Sequence, residues 1–145
     1  CPLRSNGTRF LSSRRTKSSM GAEAAELLRK RALDFLEEAE HLLQSGKFDI
    51  GVFSLEQYCQ LMTKYELLKR TGEFPHTHSL KLLLSRLSQS KKDVQSLLTE
   101  KNIIYIGLLE DAYVASRYLP RIYDETEAEE LLKFVKEVFR PVVES

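Results

Sequence analysis

Three places in the chain hold side chains that could bind or react. The first is His76-Thr77-His78, just after Pro75. Two imidazoles one residue apart could share a metal, but zinc takes three or four ligands and this pair supplies two. The reading is therefore no metal, with His78 as a helix-start residue or a neighbour facing a ligand. The second is Arg117-Tyr118-Leu119-Pro120-Arg121-Ile122-Tyr123, at the join of two helices. An Arg beside a helix end either grips a phosphate with its forked guanidinium or pairs with a carboxylate such as Asp111 or Asp124. Tyr118 and Tyr123 either stack on a base or pack between helices. The third is a polar stripe on one helix, where Gln57, Gln60 or Leu61, Lys64 and Leu68 fall on one side. Amides on an otherwise apolar helix suggest a helix–helix contact or a partner surface. The serines and histidines show no spacing of a nucleophile with its base, so no catalytic residue is assigned.

Helices must position these groups. From Ala22 to Ser45, Leu28, Ala32, Phe35, Leu36, Ala39, Leu42 and Leu43 recur every three or four residues, one face of an amphipathic helix. Gly46 supplies its stop. Asp49 is the expected N-cap of a second helix running to about Arg70. Gly72 and Pro75 break the chain, and a shorter helix is predicted over 78–87. Ser90 with Asp93 looks like a cap for a helical turn at 94–98. The stretch 100–118 carries a broad apolar surface from Ile103 to Ala115 and is predicted helical. Thr126 to Glu129 is read as a capping box for a last helix that stops before Pro141. The fold expected is all-α, an antiparallel up-and-down four-helix bundle with one additional short helix.

A chain of 145 residues suits one domain, and 42% hydrophobic with 30% charged residues is a globular balance. No apolar run approaches the ~20 residues of a membrane span. The net charge of +1 hides a split. Residues 1–20 hold Arg4, Arg9, Arg14, Arg15, Lys17 and no acid, which leaves 17 basic and 21 acidic groups in 21–145, a net −4. The front segment is too poor in apolar groups to offset its ordering entropy, so it reads as a disordered basic tail. Its composition fits a transit peptide, a phosphate-binding arm or, as the preferred reading, an extension outside the domain, since Met20 heads the helical pattern. A mildly acidic domain at 21–145 argues against general polyanion binding, so any phosphate contact must be local to Arg117 and Arg121. Cys1 and Cys59 form no disulfide framework, and Cys59 lies at a core spacing, consistent with a buried thiol in a cytoplasmic protein.

Several blocks then fall into a known order: Phe48-Asp49, Phe53-Ser54-Leu55-Glu56-Gln57, Lys64 with Leu67-Leu68-Lys69, Gly72, Pro75, Thr77-His78-Ser79-Leu80, and Ser116-Arg117-Tyr118-Leu119-Pro120. Over about 22–142 this resembles the HEPN domain, a helical nucleotide-binding domain, in its small stand-alone archaeal and bacterial form. The resemblance implies a helical bundle, usually homodimeric, often paired with a minimal nucleotidyltransferase, sometimes as a toxin–antitoxin module. Many members are metal-independent RNases using an Arg followed four to six residues later by a His. Arg117 matches that Arg, but the last histidine of this chain is His78, so the proton-transferring imidazole is missing. The expectation is a non-catalytic, cofactor-free homodimer that binds a nucleotide or RNA, partners a nucleotidyltransferase, or does both. Its polar cleft holds Arg117, Tyr118, Lys64, His78 and Arg121. The rivals are a degenerate HEPN-type RNase using Arg117 with Tyr123 or Asp124, and a purely structural interaction scaffold.

Overall fold

A computed structural model describes the backbone of residues 8–115 and 122–145, and the side chains of 21–114 and 122–145. Every regular element among the described residues is helical: α1 (Thr8–Gln44), α2 (Phe48–Thr71), α3 (Leu80–Ser88), a 3₁₀ turn (Lys92–Leu98), α4 (Glu100–Ala115), α5 (Glu125–Phe134), a π turn (Val135–Phe139) and α6 (Arg140–Glu144). The protein is all-α. No helix among the described residues is long and apolar enough to cross a membrane. Where the composition of 1–20 argues for disorder, the backbone from Thr8 onward is helical and continuous with the rest of α1.

The periodic positions of α1 become its inner face, with Ala32, Leu36, Ala39 and Leu43 buried. Gly46 takes a left-handed φ of 78°, and the Lys47 N–H donates to the Leu42 carbonyl at 2.9 Å, the backbone closure that ends a helix at glycine. The three-residue turn sends α2 back along α1, and the two pack along their lengths. Gly51 is what lets them approach: a Cβ there would lie 2.5 Å from Leu43 Cδ2. α2 is the central helix, touching α1, α3, α4, α5 and α6. Its Val52, Leu55, Cys59 and Met62 join Leu80, Leu83, Leu84, Leu87, Ile106, Leu109, Leu131 and Phe139 in one core. Each such large side chain contributes roughly 1.5–3 kcal/mol on burial.

Four local expectations are corrected. Asp49 does not cap α2. The N-cap is Lys47, with no side-chain cap, and the Asp49 carboxylate instead accepts the Tyr123 N–H at 2.9 Å, tying the segment after α4 to the start of α2. Ser90 does not cap the 3₁₀ turn, whose N-cap is Lys91; the Ser90 hydroxyl donates back to the Leu87 carbonyl. The capping box of α5 is formed by Asp124 and Glu127, two residues before the Thr126–Glu129 pair. Asp124 caps as well as threonine does, and it follows directly on Tyr123, whose backbone and hydroxyl are both anchored. Finally, the last helix does not stop before Pro141. A π turn precedes the proline, with the Arg140 N–H donating to the Val135 carbonyl, and the helical backbone continues through Pro141 as α6. The π turn buries Phe139 edge-on against Tyr58, ring centroids 5.8 Å apart.

Candidate functional site

One face of α2 carries Phe53, Glu56, Gln57, Gln60 and Lys64, spaced three and four apart and therefore stacked along the helix. Glu56 is fully buried. Both of its oxygens accept amide hydrogens, one from Gln57 Nε2 at 2.8 Å and one from Gln60 Nε2 at 2.5 Å. Burial outweighs those two bonds and pushes the Glu56 carboxyl up to about 7, with the nearby Glu110 charge adding to the rise and Lys64 opposing it. Lys64 is held below its usual value by burial, and Glu56 counters that shift. Its Nζ lies 5.4 Å from the centre of the Phe74 ring.

The segment between α2 and α3 and the inner face of α4 close this stripe. Ser79 caps α3, accepting the Leu82 N–H at 3.2 Å and donating from its hydroxyl to Glu110 Oε2 at 2.9 Å. The same carboxylate accepts the Lys81 N–H at 3.1 Å and pairs with Lys81 Nζ at 3.8 Å. One turn further along α4, the Tyr113 ring stacks on His78 with centroids 4.6 Å apart and planes 20° from parallel. Tyr113 also meets Phe53 of α2, at 6.5 Å and 19°. His78 therefore precedes α3 rather than opening it, and its ring is held as the outer member of an aromatic stack.

Of the residues expected in a polar cleft, Lys64 lies over Phe74 and His78 stacks on Tyr113, separate contacts that residues 74–81 make with α2 and with α4. Gln57 and Gln60 lie in the same stripe. Arg117, Tyr118 and Arg121 lie outside the described residues. Glu56, Glu110, Ser79 and Tyr113 are the members that sequence reasoning missed. The available signal was the four-residue spacing Glu56–Gln60–Lys64, which places an acid, an amide and a cation on one line of the helix. His76 meets Phe74 edge-on, and no group of three His, Cys, Asp or Glu among the described residues is placed to hold a metal. Cys59 is a buried thiol that burial keeps protonated, so it is no nucleophile.

A helical chain whose central helix carries this buried Glu–Gln–Lys stripe matches the family model of the HEPN domain over residues 25–145. The chain belongs to the HEPN family. No curated protein matches it. In this HEPN protein Tyr113 stands in the last turn of α4, which ends at Ala115, and residues 116–121 follow in the chain. Chemically the junction offers a stacked imidazole and a half-buried ammonium, with the Glu56 carboxyl buried in the same stripe as the ammonium. Such groups can hold a flat ring and an anion. Among the described residues they do not form a nucleophile–base pair.

Proposed function

We propose that this HEPN protein is a non-catalytic homodimeric module that binds a nucleotide or RNA where α2, residues 74–81 and α4 meet. Its protein partner is a minimal nucleotidyltransferase, in a toxin–antitoxin-like pair within the cytoplasm. The domain is an up-and-down bundle of residues 21–145, and residues 1–20 are dispensable to it. The observation that carries the binding role is the parallel His78–Tyr113 ring pair, formed by the same 74–81 segment that brings Phe74 under the Lys64 ammonium. A parallel stack supplies a surface for a base, and Lys64, with Arg117 and Arg121 following in the chain, supplies cations for a phosphate. Tyr118 adds a second ring to the same block. Titration calorimetry with ATP and with a short single-stranded RNA tests this. Arg117→Ala and Lys64→Ala are each expected to weaken binding about tenfold or more, the scale of one lost charge-assisted contact, with the helical content unchanged. No heat with either ligand overturns the binding role.

One observation favours a second reading, a HEPN-type RNase with a degenerate site. The imidazole that the family's RNases use is missing after Arg117, yet burial pushes the Glu56 carboxyl up to about 7, and Gln57 and Gln60, which bond it, are its links to the rest of the stripe. Incubating the protein with mixed RNA, with and without chelator, separates the two. Cleavage that survives chelation and disappears in Arg117→Ala establishes the enzyme, and intact RNA supports the binding module.

A further inference from the structure

α4 carries large apolar residues around much of its circumference, a pattern expected of a helix covered on more than one side. Its inner side fits that description, with Ile106, Leu109 and Ala112 buried. Its outer side does not. Ile104 is 63% exposed, Lys101 and Asp111 are exposed, and Leu108 is half-buried. The four lie three, four and three residues apart, so they form a single stripe along the helix.

That stripe has an unusual symmetry. Its spacing is the same read in either direction, its two inner members are aliphatic, and its two ends carry opposite charges. Laid antiparallel on another copy of itself about a two-fold axis level with Ile106, Lys101 meets Asp111 and Ile104 meets Leu108, each pair occurring twice. Such self-complementarity is what an isologous interface requires, because one patch must serve on both partners. We infer that the Lys101–Ile104–Leu108–Asp111 stripe of α4 is the surface on which a second copy of this chain docks, antiparallel to the first. The inference rests on the homodimer of the proposed function and gives it a face. A carboxylate accepts from more than one cation, so Asp111 can pair across the axis while keeping its contacts within the chain.

Sedimentation equilibrium of the full chain tests the assignment with four variants: Ile104→Glu, Lys101→Asp, Asp111→Lys and the last two combined. The wild type is expected to be a dimer at micromolar concentration. Ile104→Glu, which buries two unpaired carboxylates at the axis, is expected to weaken it by ~100-fold or more. Each single charge reversal sets like charges opposite each other and is expected to cost ~10-fold, and the combined exchange should restore the wild-type dimer. Circular dichroism checks that each variant is folded. Should Ile104→Glu fail to fold, the exposed charge exchange decides alone. A wild type that stays monomeric overturns both this face and the homodimer it rests on. A dimer that tolerates Ile104→Glu, or gains nothing from the combined exchange over the single reversals, overturns the α4 face and leaves the homodimer standing.

Discussion

The two sides of α2 use opposite means to hold a neighbour. Toward α1, contact is close and apolar: Gly51 lies under Leu43, and no side chain intervenes. Toward residues 74–81 and α4, α2 turns a polar stripe bonded within itself, Glu56 to Gln57 and Gln60, and meets its neighbours through rings, Phe53 on Tyr113 and Lys64 over Phe74, with the Glu110 charge nearby. The apolar side gains from surface removed from water, and it depends on shape. The polar side depends on every buried donor and acceptor finding its partner, since an unmet one costs about 1–3 kcal/mol. Glu66, the other acid that α2 buries, is offset by Lys69 and Arg70 on the same helix. Glu56 is instead buried at a net cost to its charged form, which marks its side as the one with a task beyond folding.

The sharpest way to break this contrast is at Gly51. Gly51→Val places branched carbon where Leu43 Cδ2 and Cγ already lie 2.5 and 2.9 Å from a Cβ position. The expected destabilisation is about 3 kcal/mol, at the upper end for overpacking a closed seam. Gly51→Ala should cost far less, because Leu43 can turn its side chain and alanine gains about 1 kcal/mol of helix propensity. Urea unfolding of both variants checks the pair. Equal midpoints for valine and wild type would show that α1 and α2 are not in close contact there.

The polar side responds to pH instead of size. Glu56 has a folded value of about 7 against an ordinary 4.5. Between those values the folded chain keeps a proton that the unfolded chain has lost, so stability falls as pH rises through that window and levels off above about 7. The ionised carboxylate then costs on the order of 3 kcal/mol. Glu56→Gln removes the charge and keeps the shape. It should raise stability at about pH 8 by roughly 1–3 kcal/mol and change little at about pH 4, where Glu56 is neutral in both states. Urea midpoints at the two pH values read this directly, and a gain of equal size at both would contradict the assignment.

The same contrast explains which features were legible in the sequence. The long helices were, because a repeat of three and four in apolar residues survives whatever packs on it, as Ala32, Leu36, Ala39 and Leu43 show. Caps were not, because Asp49, Ser90 and Thr126 are all chemically able to cap and only tertiary contacts choose among candidates. Asp49 was diverted to the Tyr123 N–H, seventy-four residues away in the chain. The π turn before Pro141 was invisible for a related reason, since a proline reads as a helix stop and the buried Phe139–Tyr58 contact beside it is long-range. At the site, Lys64, His78 and the Gln57–Gln60 stripe could be read from type and spacing. Glu56 shares their four-residue spacing, but an acid on a helix reads as surface, and neither its type nor its spacing shows that it is buried.

The smallest effect expected on the polar side comes from a single hydroxyl. Ser79 Oγ does two things at once: it accepts the Leu82 N–H to cap α3 and donates to Glu110 Oε2. Ser79→Ala removes both, and the expected loss is about 1–2 kcal/mol, the upper part of the range for a cap because a carboxylate loses a donor as well. Asp124→Ala provides the comparison, since Asp124 closes an exposed capping box on α5 that has no role at the junction. Both variants should lose similar stability in urea, but only Ser79→Ala should loosen the 74–81 segment and weaken nucleotide or RNA binding by calorimetry, because Glu110 also holds the Lys81 backbone and ammonium. Equal binding by the two variants would confine Ser79 to the helix it caps. The polar side of α2 would then end at Gln60 and Lys64 instead of reaching through Ser79 to α4.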